Sequence, residues 1–303
     1  MKRRIFIYGK PLYENRLKER LEEEGYKVLL SPKQIDNLGS TSLTRLVARF
    51  KPSVFVNLGL LSGNIWEIGA KERQLLDLNL KRLISFWHLA ELIKPRKVVN
   101  ILSNSSYGEI KKGKLIEKNW WKGELFEKVW VVGMSSKINW VYSRLYKNSN
   151  ITNLIVANLY GPGDSFDVKT SYAIGSLIAK IYRAKQDLAD SVKTWGSGKE
   201  VRDFLYIDDW IEAICQSTDA RTDDLPINVG TGRGISIADL ANKIKNYLGW
   251  QGKIFFNGEF AGVLYKVMDL RRCQEVFGWK PKTYIDEGLA KTIGWYLANF
   301  KYE

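Results

Sequence analysis

A single histidine, His88, and two cysteines, Cys215 and Cys273, are all that 303 residues hold of these types. That scarcity excludes a cysteine zinc site and a disulfide scaffold, and no metal site is expected. A Ser-His-Asp triad is left only if His88 itself serves. So few cysteines fit a reducing compartment, and the cytoplasm is the expected location. No run approaches the roughly 18 apolar residues of a membrane span. No internal repeat and no linker rich in proline or glycine divides the chain, which fits one large domain or two closely joined ones. Residues 1–8 are basic and then apolar. That apolar run is too short for a secretory signal, and Lys10 and Pro11 follow at once, so residues 5–8 read as a first strand.

What is present is apolar mass and positive charge. Apolar residues make up 45% of the chain, enough for a sizeable core and too many for disorder. Lysine and arginine number 47 against 33 acidic residues, a net charge of +14. Such a field attracts nucleotides, nucleic acid or acidic membrane surfaces. Lysines gather at 111–128 beside Trp120 and Trp121, and this segment reads as a solvated loop. In the first half, strands are expected at 5–8, 27–30, 53–58, 97–102 and 153–158. Helices are expected at 15–24, 43–50, 71–93 and 131–146. Alternation at these lengths implies a parallel sheet covered on both faces. The second half is less regular, with helices at 172–184, 237–248 and from 285, and short strands at 205–207, 227–229 and 253–256. The fold class is α/β, a doubly wound parallel sheet with a smaller α/β part.

Four segments then stand out. They are Asn158-Leu159-Tyr160-Gly161-Pro162-Gly163-Asp164, Trp195-Gly196-Ser197-Gly198 running on through Arg202 to Asp209, Asn228-Val229-Gly230-Thr231-Gly232, and Phe277-Gly278-Trp279-Lys280-Pro281. In order and spacing they resemble the extended short-chain dehydrogenase/reductase family, the NAD-dependent sugar-nucleotide epimerases and dehydratases. The pattern is most similar to the GDP-L-fucose synthase branch, which also fits residues 30–38. The resemblance implies a Rossmann-like domain at 1–163 with about 203–228, and a substrate-binding domain at 164–202 and 229–303. It implies a nucleotide-sugar ligand, NADP or NAD as cofactor, and a homodimer built on the helix that carries Trp140, Tyr142 and Tyr146. On the substrate side it points to Asn158, to Trp195 near the sugar or base, to Arg202 on the diphosphate and to Lys266 on a phosphate. A guanidinium after a glycine-rich turn grips a diphosphate bidentately, as a lysine does less well. Asn79 matches a structural asparagine of the family, His88 reads as a packing or surface residue, and Asp208 and Asp209 read as the start of a helix.

The cofactor and catalytic motifs depart from that pattern. After the first strand the family carries three glycines, which permit a tight turn and close approach of a pyrophosphate. Here those positions are Gly9, Leu12 and Asn15, with Pro11 lacking an N–H and Glu14 adding negative charge. Lys10 is the compensating cation, and Lys33, in Ser31-Pro32-Lys33 where an acidic residue is usual, favours a 2′-phosphate. The Tyr-x-x-x-Lys pair of the following helix falls on Lys128 and Val132, or after a four-residue slip on Val132 or Gly133 and Ser136 or Lys137. No register restores both residues, and Lys137 is the candidate relocated lysine. The catalytic hydroxyl position aligns with Asn104, flanked by Ser103 and Ser105.

Three readings compete. The first is a family member that binds a nucleotide-sugar or related phosphate ligand with nicotinamide chemistry impaired or lost. The second is an active NAD(P)-dependent epimerase, reductase or dehydratase with an atypical site. The third is RNA binding on the same scaffold, which the charge and the aromatics support.

Overall fold

The computed structural model describes residues 3–9, 13–32, 41–147, 150–223, 225–259 and 262–300. The first half runs β1 (Arg4–Tyr8), α1 (Glu14–Glu23), β2 (Lys27–Leu30), α2 (Thr41–Phe50), β3 (Val54–Asn57), α3 (Ile65–Ala70), α4 (Glu72–Ile93), β4 (Lys97–Ser103), α5 (Trp130–Leu145) and β5 (Asn150–Val156). The second half adds β6 (Asn158–Tyr160), α6 (Ala173–Gln186), β7 (Ser191–Thr194), β8 (Val201–Arg202), β9 (Phe204–Tyr206), α7 (Ile207–Ser217) and β10 (Ile227–Val229). It ends with β11 (Ile235–Ser236), α8 (Ile237–Leu248), β12 (Lys253–Phe256), β13 (Tyr265–Lys266), α9 (Arg271–Phe277) and α10 (Ile285–Asn299).

Six strands form one parallel sheet in the order β10-β5-β4-β3-β1-β2. The chain runs from β1 to β2 on one side, then crosses to β3 on the other. The order therefore reverses between β1 and β3, and the carboxyl ends of that pair are where open α/β sheets hold ligands. Successive side chains of β1 serve opposite faces. Ile5 and Ile7 pack into one core with Leu17 and Leu21 of α1, whereas Phe6 and Tyr8 pack into another with Phe55, Phe86 and Trp87. The doubly wound, Rossmann-like architecture expected from the alternating pattern is present.

An asparagine ladder crosses the middle of the sheet. Asn57, Asn100 and Asn153 sit side by side in register on β3, β4 and β5. The Asn57 amide donates to Asn100 Oδ1 at 2.8 Å, and the Asn100 amide donates to Asn153 Oδ1 at 2.8 Å.

Smaller pairings build the rest. β6 runs parallel to β9, β7 to β12, and β8 lies between β11 and β13. The lysines of 111–128 are exposed as expected, but the segment is anchored. Leu115 N–H donates to Val267 O at 2.7 Å, and Trp120 is fully buried with its indole N–H on Ser106 Oγ at 2.6 Å.

Of the three aromatics named on that helix, Trp140 and, just past its end, Tyr146 are buried, whereas Tyr142 is exposed. The exposed apolar stripe of α5 is Trp130, Met134, Val141 and Leu145, with Ile84 and Leu92 exposed on the adjoining α4. Among the described residues no helix is long and apolar enough to cross a membrane.

Candidate functional site

A cleft of about 600 Å³ is lined by the segments that follow the carboxyl ends of β3, β4 and β5. Leu58, Leu61 and Ser62 follow β3, Ser103, Asn104 and Ser105 end β4, and Asn158 follows β5. The second half supplies Trp195, Arg202 and Lys266. Seven residues singled out from the sequence thus line one cavity.

At the β1–β3 end, Gly9 has φ +108°, and a Cβ there would lie 2.4 Å from the Leu58 carbonyl, so only glycine fits. Ser31 Oγ accepts from the Gly9 N–H and donates back to the Gly9 carbonyl, both at 3.1 Å. The serine that replaces an acidic residue after β2 therefore holds the first turn closed on itself. Asn79, 2% exposed on α4, clamps the facing loop by accepting from Leu61 N–H at 2.7 Å and donating to Leu61 O at 3.0 Å. Glu14 opens α1 with Oε2 buried and without a hydrogen-bond partner among the described residues. Asn15 is exposed. Lys10, Leu12 and Lys33 lie outside the described residues.

The face of α5 that meets the hydroxyl loop carries Gly133 and Ser136. A Cβ on Gly133 would lie 2.4 Å from the Ser105 carbonyl oxygen, so helix and loop touch where no side chain fits. Ser136 Oγ accepts from Ser103 N–H at 2.9 Å. Four residues beyond Gly133, Lys137 is buried, and its ammonium stands 4.7 Å over the Trp121 ring. Burial lowers its pKa. Gly133 and Ser136, from two of the registers that the sequence left open, both touch the hydroxyl loop. Ser103 Oγ accepts from Ser105 N–H at 3.1 Å, which caps the short turn Asn104–Ser106.

The second-half end of the cleft is basic. Lys266 lies beside Arg202 in the β13–β8 register. Lys180 of α6 lines the same cleft with its ammonium 4.9 Å over the Trp195 ring. Burial lowers Arg202 to about 10, with Glu200 opposing. Burial, then the neighbouring Arg202, lowers Lys266 to about 7. Burial lowers Lys180 as well. Glu200 is occupied by Ser197, which donates its N–H and hydroxyl at 2.9 Å each. Among the described residues none of the three cations has an acidic partner within ion-pair distance. Glu200 and Glu109 act on Arg202 and Lys266 from beyond ion-pair distance, and the three cations give this end of the cleft a positive lining suited to an anion. The Asn158 amide is committed to the fold, donating to Asp203 O at 3.0 Å.

Sequence reasoning missed Lys180, Tyr13, Asp164 and Tyr172, which also line the cleft. Lys180 stands in an amphipathic helix like any surface lysine, and nothing in its spacing marks it. Asp164 was quoted within its motif but given no role. His88 is exposed on α4, as expected. Asp208 and Asp209 occupy the first turn of α7, where Asp208 pairs with Arg16 at 2.6 Å and Asp209 accepts from the Thr283 N–H at 2.9 Å. Among the described residues no group of three or more His, Cys, Asp or Glu could hold a metal ion.

Comparison with known proteins gives three findings. The model of the NAD dependent epimerase/dehydratase family matches residues 14–230. The chain is 26% identical to putative GDP-L-fucose synthase 2 of Arabidopsis thaliana over 310 residues, 98% of this chain and 92% of that protein. It is 35% identical to probable GDP-L-fucose synthase 1 of Oryza sativa subsp. japonica over 157 residues, 52% of this chain and only 48% of that protein. In that match the chain spans about half the length of its relative. The solved GDP-mannoheptose C4 reductase from Campylobacter jejuni, with NADP bound, superposes with a TM-score of 0.85 at 24% identity, covering 98% of both chains. At that identity the likeness establishes the fold.

Proposed function

The chain belongs to the NAD dependent epimerase/dehydratase family, and from that premise we propose that its cleft binds a nucleoside-diphosphate sugar. The observation that carries the reading is the cluster of Arg202, Lys266 and Lys180 beside Trp195 in one cavity. Arg202 grips the diphosphate, Lys266 and Lys180 neutralise it, and Trp195 covers the sugar or base. The diphosphate and sugar fall to residues 164–202 and 229–303, and a dinucleotide would fall to 1–163 with 203–228. The test is calorimetric titration with GDP-L-fucose and with UDP-glucose. Micromolar binding of either supports the reading, and silence with both overturns it.

We further propose that nicotinamide chemistry is impaired. The described residues do not fit the group well. Ser31 occupies the Gly9 N–H, Glu14 buries an unpartnered oxygen at the start of α1, and Gly133 offers no hydroxyl opposite Ser105. Pyrophosphate recognition at a helix N-terminus needs free N–H groups and no opposing charge. No step is therefore routed through a nicotinamide. Titration with NADH and NADPH is expected to give weak binding or none. A Leu12→Gly, Asn15→Gly variant is expected to gain affinity for one of them. Low-micromolar binding by the natural chain would make the active-enzyme reading the better one.

The exposed stripe of α4 and α5 supports a homodimer. Leu145 is 71% exposed and Leu92 54%, a cost that a second copy removes. Leu145→Glu is expected to convert dimer to monomer in light scattering with its melting temperature little changed. A wild-type chain that is already monomeric refutes the dimer.

A further inference from the structure

Three residues outside the cation cluster share the cleft wall. They are Tyr13 just before α1, Asp164 in the loop after β6 and Tyr172 just before α6. Tyr13 is 6% exposed and Asp164 5%. Asp164 Oδ1 accepts from Ser165 N–H at 2.7 Å. Neither its buried Oδ2 nor the buried Tyr13 hydroxyl has a hydrogen-bond partner among the described residues, and the two groups act on one another. Tyr172 directs its hydroxyl to Ser62 and feels the charges of Asp164 and Glu67, and Tyr206 acts on Tyr13. No cation counts among the groups acting on Asp164.

That environment has a chemical consequence. A carboxyl buried among hydroxyls, with no cation to hold its charge, keeps its proton to higher pH. Burial raises Asp164 to about 7, against the lowering effect of the Ser165 N–H and of Tyr13. A buried polar atom left unsatisfied costs about 1–3 kcal/mol, which an oxygen of a bound ligand relieves. A group that titrates near neutrality inside a cleft is suited to proton exchange, and α5 brings no tyrosine to this cleft.

We propose that the Tyr13–Asp164 pair is the proton-exchanging group of the cleft, with Asp164 Oδ2 facing a hydroxyl or carbonyl oxygen of the bound sugar. The Asp164 O–H bond breaks as a lone pair of the sugar oxygen takes the proton, and the protonated oxygen carries the positive charge that matches the new carboxylate. The carboxylate keeps the electron pair, and the Tyr13 hydroxyl donates a hydrogen bond to it. The reverse transfer restores the acid. The identity of the acceptor rests on the nucleotide-sugar reading, whereas the pair itself does not.

Infrared difference spectra of the intact chain, wild type minus Asp164→Asn, isolate the Asp164 acid carbonyl band. In the ligand-free protein the band is expected at mildly acidic pH and is lost through a midpoint near 7. Tyr13→Phe is expected to move that midpoint upward, since the carboxylate loses a donor. Circular dichroism checks that the variant is folded, and the Asp164→Asn difference gives the midpoint even if it is not. GDP-L-fucose at saturation is expected to shift the band, and GDP alone to leave it in place. A band already gone at pH 6, or a midpoint unmoved in folded Tyr13→Phe, overturns the pair. An unshifted band with GDP-L-fucose bound overturns its role toward the sugar. If calorimetry shows that neither GDP-L-fucose nor UDP-glucose binds, the nucleotide-sugar reading fails, and the ligand-free titration still decides the pair.

Discussion

Replacing Arg202 by alanine is expected to weaken nucleotide-sugar binding about 10–100-fold, equivalent to roughly 1.5–3 kcal/mol for a charge-assisted hydrogen-bonded contact. The guanidinium lines the cleft and makes a single hydrogen bond to the fold among the described residues, donating to Val201 O at 2.9 Å. Its remaining donors are available to a ligand. Arg202→Lys keeps the charge and loses the planar fork, so it is expected to recover only part of the loss. The same cluster sets a pH dependence. Lys266 is lowered to about 7 and Arg202 only to about 10. A lysine is charged below its pKa, so affinity for the diphosphate is expected to fall as pH rises from 6 to 8, while Arg202 stays charged. Lys266→Met should bind more weakly at pH 6 and lose most of that slope. Calorimetric titration with GDP-L-fucose at both pH values measures all four proteins. An Arg202→Ala chain that binds like wild type removes the phosphate assignment.

Asn100→Ala is expected to cost about 3–5 kcal/mol, a large share of the 5–15 kcal/mol that holds a typical domain. Asn100 is fully buried at the centre of the sheet. Its Oδ1 accepts from Asn57 and, at 3.0 Å, from Asn139 of α5, and its amide donates to Asn153. Asn139 in turn accepts from the Trp87 indole of α4 at 2.9 Å. Alanine strands two amides and one carbonyl in the interior, each worth about 1–3 kcal/mol when unsatisfied and less than additive together. The ladder also fixes register, because a slip of one residue would turn the asparagines to the opposite face. Denaturant unfolding gives the cost, and a double-mutant cycle with Asn139→Ala should show coupling of about 1 kcal/mol or more. A loss below roughly 1 kcal/mol would mean that water or repacking satisfies the stranded groups.

Much of the scaffold was legible in the residues. Strands buried on both faces are short, continuously apolar runs, and residues 5–8 and 53–58 announce β1 and β3 without knowledge of their neighbours. The glycine-rich turn before Arg202 and the Asn158 motif carried enough local information to bring Asn158, Trp195, Arg202 and Lys266 to one cavity. Helical periodicity also located α5 to within a residue at each end.

What the residues left open is the pairing of groups far apart along the chain. Helical spacing allowed three positions for the missing tyrosine, Lys128, Val132 or Gly133, and that Gly133 meets Ser105 is a contact only the fold shows. The missing acid after β2 was legible, but not that Ser31 would fold back onto Gly9. Lys137 was a candidate for its residue type, yet its position over Trp121 depends on how the 111–128 segment packs. Trp140 packs against Trp120 and Trp121, and Tyr146 against Trp87 of α4, contacts that helical spacing alone does not give. Sequence fixes local conformation through steric and periodic rules that act over a few residues. Tyr13 and Asp164, and Lys180 and Arg202, come to line one cleft only because elements far apart along the chain pack together, and that proximity is a property of the assembled fold.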